Sequence, residues 1–126
     1  MKLNMDFSND QPLAEFGALP DGEYTAMITG IEQRDTKAGD GSYLNVELTV
    51  LDGEFAQRKV WDVINLWNPN AKAVEIARRT MRSIADAVGV GPRVDDTDAL
   101  MDRPLVIKVA LEKQDGYKDR NRINAY

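Results

Sequence analysis

Neither cysteine nor histidine occurs anywhere in the 126 residues, and the two absences exclude a great deal. Without Cys there is no disulfide framework, no thiolate nucleophile and no Cys-type zinc site. Without His there is no Ser-His-Asp triad, no HExxH helix and no imidazole acid–base pair. An enzyme built on this chain would have to work with carboxylates, Lys, Tyr or a bound divalent metal. Long apolar runs are missing as well, since no stretch approaches the roughly 20 apolar residues of a membrane span. At the start, Asn4 and Asp6 interrupt the run that a signal peptide needs. The composition therefore points to a soluble cytoplasmic protein without membrane association, and the length suits one domain rather than two. There is no internal repeat and no low-complexity tract.

Excess positive charge is also lacking. The formal net charge is −5, so no global field attracts nucleic acid. The distribution is uneven, however: residues 1–66 hold 5 basic and 12 acidic side chains, whereas residues 67–126 hold 11 and 9. The second half therefore has room for a local basic surface.

Residues 1–22 read as an extended lead-in, broken by Pro12, Pro20 and Asp21-Gly22 and anchored to a core by Phe7, Leu13, Phe16 and Leu19. Glu23–Gln33 alternates as a strand with Tyr24, Ala26 and Ile28 on one side. Met27 and Ile31 fall on the other, so this strand is either covered on both faces or bulged. After a Gly/Asp-rich loop, Tyr43–Leu51 places Leu44, Val46, Leu48 and Val50 on one face and Tyr43, Asn45, Glu47 and Thr49 on the other. An antiparallel sheet with one buried face produces that alternation. Asp52-Gly53 signals a turn, and a third strand is expected over Phe55–Trp67. Asn68 then suits an N-cap and Pro69 a first helical position. Val74, Ala77, Met81, Ile84, Ala85 and Val88 recur at helical spacing up to the cap Gly89. A short helical turn is expected around Thr97–Met101. Pro104 opens a fourth strand with Leu105, Ile107, Val109 and Leu111 on one face. Asp115-Gly116 is a hairpin signal, and Tyr117–Tyr126 follows as the fifth strand. The expectation is a mainly β domain over 23–126 with one helix, in the order β-β-β-α-β-β of a five-stranded OB-fold barrel; other small α+β sheets fit the same string.

Candidate chemistry is sparse. Asp95, Asp96, Asp98 and Asp102 cluster, but without the spacing of a calcium loop and beside a helical turn that Asp residues can cap. No metal or other cofactor is expected. On the helix, Glu75 precedes Arg79 by four residues and Asp86 follows Arg82 by four, so surface pairing is the expected role of those arginines. The last strand differs: Lys118, Arg120 and Arg122 alternate onto one face, with Tyr126 two steps beyond Asn124. Lys108 and Lys113 stand in and beside the preceding strand. A row of cations suits a phosphate backbone, although a solvated strand face produces it as well. Aromatics supply the other half of a single-strand site, because every base offers a face to stack. Tyr43 lies on the polar face of its strand. If Val60, Asp62 and Ile64 face the core, Trp61 joins Tyr43 and Asn45 across a groove; otherwise Trp61 caps the core.

The blocks "LPDGEYTAMI", "GDGSYLNVELTVLDGEF", "RKVWDVINLWNPNAKAVEIAR" and "KDRNRINAY" resemble a bacteriophage-encoded family first catalogued as a domain of unknown function. The resemblance runs over nearly the whole chain. It implies a single-stranded-DNA-binding protein of OB fold, in the cytoplasm of an infected bacterial host, serving replication or recombination. It supplies no residue-level contacts. From the strand pattern, the expected DNA-binding residues are Tyr43, Asn45, Arg58, Lys59, Trp61, Lys108, Tyr117, Lys118, Arg120 and Arg122, in a groove across strands two, three and five. No catalysis is expected. The rival is an OB-fold interaction module docking a phage recombinase, nuclease or helicase, for which Ile76, off the helix's apolar stripe, is the motivating residue. A metal-dependent nuclease would need carboxylates clustered on adjacent strands, and here they are scattered. A homodimer is a reasonable assembly, although neither a heptad nor an exposed apolar stripe argues for one.

Overall fold

The alternation centred on Leu44–Val50 becomes a strand, Ser42–Val50 (β2), with Leu44, Val46, Leu48 and Val50 buried and Tyr43, Asn45 and Glu47 half-exposed. The computed structural model describes residues 1–10, 19–112 and 120–126. Around β2 it places Gly22–Asp35 (β1), Lys59–Trp67 (β3), Pro104–Glu112 (β4) and Arg120–Ala125 (β5), with one α-helix, Ala71–Val88 (α1), and a 3₁₀ turn, Thr97–Leu100. The strands form one antiparallel sheet in the order β3-β2-β1-β4-β5. The chain is thus mainly β with one helix, as expected. Among the described residues, however, backbone pairing leaves the sheet open between β3 and β5. No described helix is long and apolar enough to cross a membrane.

The placement of Met27 and Ile31 is settled by a bulge. The β1–β2 register steps from Ile28–Leu48 to Gly30–Glu47, leaving Thr29 as an extra residue. One extra residue reverses the alternation, so Ile31 joins Ala26 and Ile28 against the core while Met27 stays on the outer face opposite Thr49. α1 then covers the core with Ala77, Ile84, Ala85 and Val88. A fully buried Ile such as Ile84 contributes about 1.5–3 kcal/mol relative to leaving it in water.

Three local expectations are corrected. The third strand begins at Lys59, not Phe55, because Gly53 and Gln57 take positive φ and fold residues 53–58 into turns that close on Val50. The helix is capped by Asn70, whose Oδ1 accepts from the Lys72 and Ala73 N–H groups at 3.0 and 3.3 Å. Asn68 instead accepts from the Asn70 N–H, making the turn that precedes the cap, so Pro69 lies outside the helix. At the far end Gly89 caps in the left-handed conformation, as expected. Third, a bulge at Asn124 separates the Val109–Ile123 and Lys108–Ala125 pairs and turns Tyr126 inward, off the basic face.

The described end of the lead-in is tied to the sheet: Asp21 Oδ1 accepts from the Leu111 N–H, and the Tyr24 hydroxyl donates to the Pro20 carbonyl at 2.6 Å. Leu19 is 1% exposed, and Asn121 grips its backbone on both sides: Oδ1 accepts from the Leu19 N–H at 2.7 Å and Nδ2 donates to its carbonyl at 2.8 Å. Phe7, expected as an anchor, is 58% exposed. Leu13 and Phe16 lie outside the described residues. Replacing Asn121 by Ala leaves two backbone groups of a buried residue without their partner. This should cost about 1–3 kcal/mol in urea unfolding; a loss within error would show that the clamp contributes nothing to holding the lead-in.

Candidate nucleic-acid interface

Three strands present an outer face on which four of the ten sequence candidates sit. Across β1–β2, Arg34 pairs with Tyr43 and Glu32 with Asn45; across β2–β3, Asn45 pairs with Val63, Glu47 with Trp61 and Thr49 with Lys59. Trp61 points outward because Val60, Asp62 and Ile64 take the inner side, with Val60 and Ile64 fully in the core. Trp61 is 53% exposed, so it does not cap the core, and Val63 beside it is 52% exposed. Trp67 does not continue this row: a register shift leads from Leu44–Ile64 to Ser42–Trp67. The structure therefore brings Tyr43, Asn45, Lys59 and Trp61 onto one surface.

The charges of that surface are mostly matched. Arg34 pairs with Glu32 at 2.9 Å and reaches the Tyr43 side chain, while Lys59 pairs with Glu47 and donates to Thr49 Oγ1 at 3.3 Å. The Lys59 bond is the main reason the Glu47 carboxyl is held below the usual carboxylate range. Gly30 leaves room for Glu47, since a Cβ there would lie 3.1 Å from Oε2. Arg58 lies over the Phe55 ring, 5.9 Å from its centroid, at the hairpin end of the sheet. What remains uncommitted on this face is apolar and aromatic rather than cationic.

The other candidates divide. Arg120 stands on β5 and pairs with Glu112 at 3.0 Å. Lys108 lies in a second groove with Glu23, Val106 and Ala87, which shares Ala125 and Tyr126 with the groove of Arg122. Tyr117 and Lys118 lie outside the described residues, as do Lys113 and the Asp115-Gly116 turn. Arg122 is exposed and lines an open groove of about 410 Å³ between β3, β5 and α1, together with Asp62, Val63, Ile76, Arg79 and Tyr126. Arg79 of the helix thus lines the same groove as Arg122 of the basic strand. It does not pair with Glu75: among the described residues Arg79 has no carboxylate at ion-pair distance, whereas Arg82 meets Asp86 at 3.1 Å as expected. An i,i+4 pair on a helix surface is worth only about 0.2–0.5 kcal/mol, too little to hold two solvated side chains together reliably. The Asp cluster is local structure: Asp95 pairs with Arg93, and Asp96 caps the 3₁₀ turn.

Sequence reasoning missed the floor of this groove. Tyr126 Oη donates to Asp62 Oδ2 at 2.5 Å, joining the two open strands side chain to side chain. Burial is the main cause that pushes the Asp62 carboxyl up, opposed by the Tyr126 hydroxyl, the Val63 N–H and the charge of Arg122. Burial, then the Asp62 charge, pushes the Tyr126 phenol up as well.

A family model described as "Protein of unknown function (DUF669)" matches residues 4–126. The chain belongs to this family. No curated protein matches it.

The Asp62–Tyr126 contact gives this DUF669 member a pH signature. Because Asp62 ionises with more difficulty folded than unfolded, its contribution to stability falls as pH rises through its raised pKa. Tyr126 offsets part of that by bonding the ionised form. Tyr126→Phe should therefore cost about 1.5–3 kcal/mol near pH 7, where the bond is charge-assisted, and nearer 1 kcal/mol around pH 3.5. Thermal melts of both proteins across that range test this; a difference independent of pH would show that the phenol does not engage the carboxylate.

Proposed function

We propose that the chain is a sequence-tolerant single-stranded-DNA-binding protein of a bacteriophage, built on an OB-fold whose barrel is open between β3 and β5. It supports replication or recombination in the cytoplasm of the infected host and performs no catalysis. The strand order, with β1 shared between β2 and β4 and a helix between β3 and β4, agrees with a partly open Greek-key barrel whose β2–β3 face binds oligonucleotides.

The observation that carries the reading is the exposure of Trp61 in the middle of β3, in one surface with Tyr43 and Asn45. A half-exposed indole contributes little to the core beneath it, and it offers a flat face to a base. Each base–aromatic contact is worth about 1–3 kcal/mol and tolerates any sequence. Duplex DNA hides its base faces, and a net charge of −5 discourages binding to it elsewhere on the surface. Ile76, 56% exposed on α1, favours the second reading, a module that docks a replication or recombination protein.

Tryptophan fluorescence of a Trp67→Phe variant, titrated with a thymine oligonucleotide at low salt, should show saturable quenching by way of Trp61. Trp61→Ala, assayed by fluorescence anisotropy of a labelled oligonucleotide, should bind about 1–3 kcal/mol more weakly. Absence of any response by the Trp67→Phe protein would leave the docking module as the better reading.

A further inference from the structure

Five cations of the described residues, Arg34, Lys59, Arg82, Arg93 and Arg120, have a carboxylate at ion-pair distance. Lys2, Lys37, Lys72, Arg78, Arg79, Arg103, Lys108 and Arg122 have none among the described residues, and of these Arg79 and Arg122, from α1 and β5, line one groove together. The acidic residue of the described lining is Asp62, and its carboxylate is engaged by the Tyr126 hydroxyl and the Val63 N–H. Val63 and Ile76 add exposed apolar surface to the same groove. Val63 is also the next outward residue of β3 after Trp61, so the groove continues the aromatic surface without a break.

We infer that this groove carries phosphate groups of the same DNA strand whose bases stack on Trp61, with Arg79 and Arg122 as the cations that meet them. The inference rests on the single-strand reading above and adds a path: from Tyr43 and Trp61, past Val63, into the space between helix and sheet. A nucleic acid strand alternates anionic and apolar groups, and so does this wall. An acidic peptide with apolar side chains has the same alternation. Continuity with the exposed indole favours the strand, because a peptide confined to the groove leaves Trp61 without a partner. Arginine suits the task in both positions, since its planar fork matches a phosphate and it stays charged at any working pH.

The test uses the whole chain, a thymine oligonucleotide and the quenching of Trp61 at several salt concentrations. On a single strand the logarithm of affinity falls with the logarithm of salt by about 0.7 per phosphate neutralised. Arg79→Gln with Arg122→Gln should therefore make the slope shallower by about 1.4 and weaken binding roughly 25-fold at about 0.1 M salt. Both side chains are exposed and lack ion pairs, so thermal melting should change by no more than the loss of the Arg122 charge near Asp62, and both variants should remain folded. Arg79→Lys with Arg122→Lys keeps the charge and should restore the slope. Arg82→Gln with Arg120→Gln removes two cations already matched by Asp86 and Glu112, and should leave the slope where it is. If the first pair retains the wild-type slope while the wild type binds, the strand does not enter the groove and an acidic peptide becomes its better occupant; the single-strand reading survives that result. If the wild type fails to quench even at low salt, both are overturned.

Discussion

The sheet depends on β1, whose residues must pair with β2 over one stretch and with β4 over another while keeping an apolar face on a single core. Residues 26–35 meet β2 and residues 22–27 meet β4, so the strand has to bend where the two ladders hand over. The bulge at Thr29 supplies that bend, and the surrounding structure accommodates it. Thr29 hydrogen-bonds Thr49 across the outer face at 2.9 Å. The Ile28 carbonyl accepts from the Asp102 N–H at 3.0 Å, which draws the loop before β4 against the strand. Without the extra residue, Ile31 would turn to solvent and the two ladders would continue into a flatter sheet.

Charge is organised as economically as the core. On the outer face of β1 to β3 each lysine or arginine beside Tyr43 or Trp61 is matched by a glutamate, so that surface offers shape and polarisable rings with little net field. Two unmatched cations, Arg79 and Arg122, stand where the sheet is open, against α1. A ligand that needs both stacking and neutralisation has to use both regions, and they meet at Val63. The separation follows from the register: the outward positions of β1 and β2 include Glu32 and Glu47, whereas those of β5 include Arg120 and Arg122.

Much of this was legible in the residues. The single apolar face of β2, the helix period from Val74 to Val88 and the cap at Gly89 are strong local signals, and the structure follows them. The outward position of Trp61 was readable as one of two alternatives, because Val60 and Ile64 have nowhere to go but inward. What failed has a common cause. The placement of Met27 and Ile31 leaves a bulge in β1 as one of two readings, whereas the bulges before Trp67 and at Asn124 shift the alternation by one residue with no local pattern to announce them. Tyr126 therefore seemed to belong with the basic face and instead turns in to meet Asp62, a partner 64 residues away. Periodicity likewise says which face of α1 is apolar, but not which strand edge its polar face looks across. Asn70 displaced Asn68 as cap because both are good caps, and only the turn geometry chooses between them.

The clamp of Asn121 on Leu19 also bears on the order in which the chain can fold. The two residues are 102 positions apart, so their contact is among the most expensive in loop entropy that the molecule makes. Leu19 packs into a core whose other members, from Ala26 to Val109, can assemble before β5 is in place. Until that last strand docks, the buried backbone of the lead-in has no partner for its N–H or its carbonyl. Assembly of the sheet and capture of the lead-in are thus separable events, and the second waits on the first. A topology with this separation in sequence belongs with slowly folding β proteins rather than with fast helical ones.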